Sequence, residues 1–153
     1  MTEATDRVTT IEAALPPPES NVGVTFTRSS IGRICTLVRV ACVDASVAPR
    51  DAEDLLIAVS EIAINAISYG GGHGAIAVHR VAGGVVIEIH DDGPGLPANF
   101  ALDQPPPGGV DELHGLWLAR LMCREFDITS SPRGVNVRMF TPGVMPTGSA
   151  VIR

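Results

Sequence analysis

The sequence predicts an α+β fold, a two-layer α/β sandwich with three helices laid on one face of a mostly antiparallel mixed sheet. Three observations lead there. Hydrophobic residues make up 45% of the 153 and aromatics only 4%, so Val, Ile, Leu and Ala must fill the core. Two long segments carry apolar residues at helical spacing, while the other apolar segments alternate with a period of two. The resulting order, β-α-α-β-β-loop-α-β-β, segregates helices and strands in the way that places helices over one side of a sheet.

Each element has its own signal. "VGVTFT" (Val22 to Thr27) alternates and reads as a first strand. Ser29 or Ser30 can cap the helix that follows, whose apolar face is Ile31, Ile34, Cys35, Val38, Ala41, Cys42 and Ala45. A second helix runs from about Arg50 to Tyr69. Asp51, Glu53 and Asp54 suit its N-terminal dipole, and Leu55, Val59, Ile62, Ala63, Ala66 and Ile67 form its stripe. "GGGHG" (Gly70 to Gly74) stops it. "AIAVHRV", a turn at Ala82-Gly83-Gly84 and "VVIEIH" make a hairpin. From Gly93 to Leu113 the chain is rich in Pro and Gly, and a loop of about twenty residues without periodicity reads as a functional lid. "HGLWLARLMCREF" reads as the third helix, and "FDITSS" with "VNVRMF" as a closing hairpin.

A chain of this length suits one domain, assigned to residues 21–141, between a mobile tail at 1–20 ending in "ALPPPES" and a loose tail at 142–153. The formal net charge of −6, with no run of Lys or Arg, argues against a nucleic-acid binder, which needs a basic footprint. "MTEATDRVTT" is polar and acidic where a secretory signal would be basic and then apolar, and no apolar run reaches membrane length. Cys35, Cys42 and Cys123 have no metal spacing and read as buried thiols. The expectation is a soluble, reduced, cytoplasmic protein.

Three stretches carry chemistry. In "AVSEIAINAISYGGG", Glu61, Asn65 and Ser68 fall at i, i+4 and i+7 and share a helix face. A purely solvated face would carry Lys or more Glu, yet Ala58, Ile62 and Ala66 flank the pair. In "IEIHDDGPGLP" a strand ends in Asp91-Asp92-Gly93-Pro94-Gly95. That D-x-G-x-G pattern suits a carboxylate pointing into a pocket, with glycines letting a ligand approach the backbone. Neither G-x-x-x-x-G-K-[ST] nor a strand-to-helix G-x-G-x-x-G occurs. In "HGLWLARLM", Gly115 precedes a helix whose N–H groups can face an anion.

Together and in this order, these stretches resemble the ATP-binding (Bergerat-type) domain of the gyrase, histidine-kinase and MutL superfamily, and most nearly the bacterial anti-sigma-factor serine kinases. "SEIAINA" is similar to that family's N box, "DDGPG" to its first glycine box, and "HGLWLARLMCREFDITSSPRGVNVRM" to its second box and closing hairpin; the likeness spans about Val22 to Phe140. The resemblance implies ATP and Mg²⁺ as cofactors. Asn65 would hold the Mg²⁺ that bridges the nucleotide phosphates, and Glu61 would be the general base. Asp91 would accept a hydrogen bond from the adenine amino group, with Gly93 and Gly95 leaving room for base and ribose. The segment from Leu96 to His114 would be the lid, and His114, Gly115 and Leu116 would meet the phosphates at the helix start. The implied partners are an anti-anti-sigma antagonist, phosphorylated on serine, and a sequestered sigma factor, with the kinase a homodimer.

Two departures keep a second reading open. The family commonly shows G-x-G before the third helix, often with Arg between the glycines, where this chain reads Leu113-His114-Gly115. A late Gly-Thr pair reads Gly134-Val135. Losing one oriented donor at the phosphates costs about 10²–10³ in rate. His114, Arg120 and Arg124 are candidates to compensate. The alternative is a binding module that senses nucleotide or has lost it, and regulates a partner by sequestration alone. His73 and His90 are read as structural or solvent-facing residues that could flank a nucleotide. Trp117 is read as core and Asp92 as a turn residue.

Overall fold

The computed structural model describes residues 20–97 and 111–143. Of the tails expected at 1–20 and 142–153, residues 1–19 and 144–153 lie outside the described residues, as does most of the expected lid, while Ser20 opens the first strand and Pro142 closes the last. Strand β1 (Ser20–Phe26) leads through a 3₁₀ turn (Arg28–Ser30) into α1 (Ile31–Asp44) and α2 (Pro49–Tyr69). Then come β2 (Gly74–Val81), β3 (Gly84–His90), α3 (Asp111–Met122), β4 (Glu125–Ser131) and β5 (Gly134–Pro142).

The strands form one sheet in the order β1-β2-β3-β5-β4, and all four pairings are antiparallel. Register sets one face as the core face. Ile76 opposes Ile89, Ile89 opposes Val137 and Val137 opposes Ile128, so one buried apolar row crosses four strands. The next core row is Val78, Ile87 and Met139, each at most 4% exposed. Because side chains alternate along a strand, the neighbouring row points the other way. There Glu88 lies between His79 (Nε2–Oε1 3.0 Å) and Arg138 (Nη2–Oε2 2.8 Å).

The helices cover the core face as their spacing dictates. On α1, Ile34, Val38, Ala41 and Cys42 are buried, and Ile31, Cys35 and Ala45 pack beside them. On α2 the entire predicted stripe is buried, together with Leu56 and Ala58. Pro49 occupies the first helical position, where a missing N–H is harmless. Ser30 precedes α1 but its hydroxyl does not cap it. The Oγ instead turns back to accept the Thr27 N–H at 2.9 Å, which shapes the 3₁₀ turn.

The third helix requires a correction. It begins at Asp111, so Gly115 lies in its second turn and not ahead of its first. Asp111 and Glu112 are acidic residues of the kind that favour a helix N-terminus, a signal submerged in the preceding Pro/Gly run. The helix runs antiparallel to α2. Its Gly115 meets Glu61 and Asn65, and near its far end Cys123 feels the charge of Asp54.

Candidate functional site

A cleft of about 370 Å³ opens between α2, the end of β3, the segment after it, α3 and β5. That volume lies within the roughly 300–1,000 Å³ typical of small-molecule sites. Its walls are mostly aliphatic: Ile62 and Ala66 from α2, Ile89 from β3, Leu96, Leu116 from α3, and Val135 with Val137 from β5. Tyr69, Pro94, Gly95 and Pro97 also line it. Among the described residues, the polar side chains lining the cleft besides Tyr69 are Asn65 and Asp91.

Asp91 is only 9% exposed and its pose is over-determined. Its backbone N–H donates to Val135 O at 3.0 Å, while its Oδ1 accepts from the N–H groups of Gly93 (2.9 Å) and Val135 (3.3 Å). Oδ2 accepts no hydrogen bond from the described residues, which leaves one charged acceptor for whatever enters. The helix end makes room for this carboxylate. A β-carbon on Gly70 would lie 2.4 Å from Asp91 Cγ, and one on Gly93 would lie 2.4 Å from the Gly70 Cα. The two glycines of the D-x-G-x-G run therefore differ in purpose. Gly93 permits close packing against the end of α2, whereas Gly95 has φ +92°, a conformation that favours glycine, and sits against Ser131 O. Leu96 N–H then donates to Ser130 Oγ at 2.8 Å, tying the segment to the β4–β5 hairpin.

Glu61 and Asn65 occupy the α3 side of the site. Both are half-buried, and both are nearest neighbours of Gly115. Glu61 makes no hydrogen bond or ion pair with the described residues. A carboxylate and a carboxamide one turn apart provide a proton acceptor beside a neutral hard oxygen. No group of three or more His, Cys, Asp or Glu that could hold a metal occurs among the described residues. This donor set fits a cation carried in by nucleotide phosphates, with Asn65 adding one ligand, since Mg²⁺ is commonly held by few protein groups plus phosphates.

Of the residues singled out in the sequence, Asn65, Asp91, Gly95 and Leu116 line the cleft, whereas Glu61, Gly93 and Gly115 do not: Glu61 lies against Gly115, and Gly93 against Gly70. Ser68 shares the helical spacing but is exposed and does not line the cleft. His114 is exposed, as are Arg120 and Arg124, and none of the three lines the cleft. His73 and His90 instead bracket Asp92, at 3.6 and 3.1 Å, on the exposed side of the turn. Gly70, Tyr69 and Ser130 were missed. The glycine run after α2 signalled a helix stop but not a neighbour of Asp91, and nothing local marks Ser130 as the acceptor for Leu96 N–H. Val135 lines the cleft beside Asp91, so the departure from threonine puts a methyl where a hydroxyl would stand.

No helix among the described residues is long and apolar enough to cross a membrane. No curated protein sequence matches the chain. Among solved structures, the RsbU and RsbW domains of Rv1364c from Mycobacterium tuberculosis match with a TM-score of 0.60 at 16% identity, over 82% of this chain and 33% of that one. At that identity the likeness concerns the fold, and this chain spans about a third of the length of the solved one. The model of the histidine kinase-like ATPase domain matches residues 24–141, well over half of the chain, and contains every element from within β1 to β5. The chain belongs to the histidine kinase-like ATPase domain family.

Proposed function

We propose that the protein binds Mg²⁺-ATP in this cleft and acts as a serine kinase of the anti-sigma type. It would phosphorylate an antagonist protein and, when free of it, sequester a sigma factor. The observation that carries the reading is the pairing of the two ends of the site. Asp91 offers one unshared carboxylate oxygen above an aliphatic floor, which suits the amino group and flat faces of adenine. Glu61 and Asn65 stand together at the α3 side. Magnesium, when bound, would neutralise phosphate charge, with Asn65 as its protein ligand. Glu61 would accept the proton of the attacking serine hydroxyl as the bond from that oxygen to the γ-phosphorus forms and the bridging bond to ADP breaks. The resemblance to anti-sigma-factor kinases and the likeness to a structure containing an RsbW domain support this reading, as does the retained Glu61, which a pure binder does not need. A cytoplasmic homodimer built on the 21–141 domain accords with the same resemblance.

Val135 favours a second reading, a nucleotide-sensing module that regulates a partner by sequestration without chemistry. Calorimetric titration with ATP, with and without Mg²⁺, and timing of phosphoryl transfer in two variants separate the two. Asn65→Ala should abolish the magnesium-dependent part of ATP affinity. Glu61→Gln should keep the dissociation constant within about threefold and slow transfer by about 10²-fold or more. Parent-like behaviour of both variants would remove this helix from the site, and a parent that binds ATP without transferring phosphate would establish the sensing module.

A further inference from the structure

Gly115 lies against the side chain of Glu61. A β-carbon built on it would stand 2.7 Å from Glu61 Oε1 and 3.7 Å from both Glu61 Cδ and Asn65 Nδ2, the nearest described atoms beyond its chain neighbours and the nearby backbone of its own helix. The severe obstruction is one oxygen at the end of a flexible side chain. The contact with Asn65 is an ordinary van der Waals distance. Glu61 has no hydrogen bond or ion pair among the described residues, so packing is what orients its carboxylate there.

We infer that Gly115 is a positioning residue for Glu61. The backbone of α3 forms the wall on which the carboxylate rests, and only a residue without a side chain lets the wall come this close. The inference rests on the reading of Glu61 as the base. It assigns Gly115 a task other than meeting phosphate, in keeping with its place in the second turn of α3. A base must lie within hydrogen-bond reach of the proton it takes, and a displacement near 1 Å can cost about 10² in rate.

The effect separates from a merely structural one because the two move in opposite directions. Alanine is the better helix former, and the atom it displaces can swing aside. In the full chain, Gly115→Ala should hold or raise the melting temperature, by up to about 2–4 °C. The ATP dissociation constant should stay within about threefold. ADP formation from Mg²⁺-ATP, with water as acceptor, should fall about 10²-fold. Glu61→Asp shortens the side chain by one methylene and clears the space, so G115A combined with E61D should turn over no more slowly than E61D alone. An unchanged rate in G115A, a rate loss matched by lost stability or affinity, or additive losses in the double variant would each overturn the inference. Should the parent turn over too slowly to time, the carboxyl-carbon resonance of Glu61 decides. It must shift in G115A while that of Asp91 stays, and an unmoved Glu61 signal overturns the contact. Full turnover by Glu61→Gln would instead defeat the reading of the base itself, whereas loss in E61Q with a neutral G115A defeats only the positioning role.

Discussion

Replacing Asp91 by asparagine reverses the polarity of the end of the cleft proposed to take adenine, while sparing its frame. Oδ1 accepts from Gly93 N–H at 2.9 Å and Val135 N–H at 3.3 Å, and the asparagine oxygen can take over both bonds. The reverse orientation would set an amide NH₂ against two backbone donors and is excluded. The fold therefore loses only the difference between charged and neutral acceptors, about 1–2 kcal/mol. Asp91 lines the cleft, and the atom in place of its Oδ2 is then a donor. Against an exocyclic amino group, a hydrogen bond to a charged acceptor worth about 1.5–3 kcal/mol is lost, and two donors face each other unpaired. The sum is roughly 3–4 kcal/mol, or a dissociation constant for ATP weakened about 10²–10³-fold. Calorimetric titration of Asp91→Asn with Mg²⁺-ATP measures the affinity, and thermal melting measures the frame. Affinity within threefold of the parent together with a large loss of melting temperature would refute the reasoning, because Asp91 would then serve the turn alone.

Two further expectations follow from the same geometry. Val135→Thr places a hydroxyl beside Asp91, and one added hydrogen bond of about 0.5–1.5 kcal/mol should tighten ATP roughly threefold to tenfold without altering the rate at saturation; equal or weaker binding in the same titration would show that the side chain does not meet the base. Two thiols, the buried Cys42 and the half-buried Cys123, make stability depend on alkaline pH. Burial pushes Cys42 from 9.0 up to about 11 against an opposing pull from Arg39, and burial with the Asp54 charge pushes Cys123 up to about 12. The folded state holds these protons more tightly than the unfolded one, so the contribution is complete below pH 9 and is lost as pH rises through 11 and 12. Denaturation midpoints taken across that window should fall, and Cys42→Ala with Cys123→Ala should flatten the curve; an unchanged slope in the double variant would place the titration elsewhere.

The layers of the fold were legible because burial follows periodicity. Every residue of the α2 stripe read from a 3.6-residue spacing is buried, and the alternation of β2 and β3 gave the facing sheet rows. Glu61, Asn65 and Asp91 were legible for another reason, since polar groups in apolar stretches have to be explained. What could not be read were contacts between glycines and residues remote in the chain. Gly70 looks like a helix stop, and only the folded chain brings Asp91 Cγ to 2.4 Å from where its β-carbon would be. The start of α3 was misplaced for an opposite reason. Its signal, Asp111 and Glu112, is local, but the proline-rich stretch before it suppresses any expectation of a helix.

The two departures from the family pattern then bear on different ends of the cleft, and they need not share one consequence. Val135 stands next to Asp91, where the aliphatic floor would meet the base, so its effect belongs to affinity. The missing glycine and arginine precede Gly115 on α3, and the glycine that remains is the one whose side chain would strike Glu61. A site drifting toward pure sequestration has no reason to preserve that clearance, because an alanine at 115 would favour the helix and displace only an oxygen of no further use. On the proposed reading, weaker recognition of adenine beside a kept seat for Glu61 is the combination expected of a kinase that binds ATP loosely and still orients its base. The two ends are therefore separable: Val135→Thr should move the dissociation constant alone, and Gly115→Ala the rate alone.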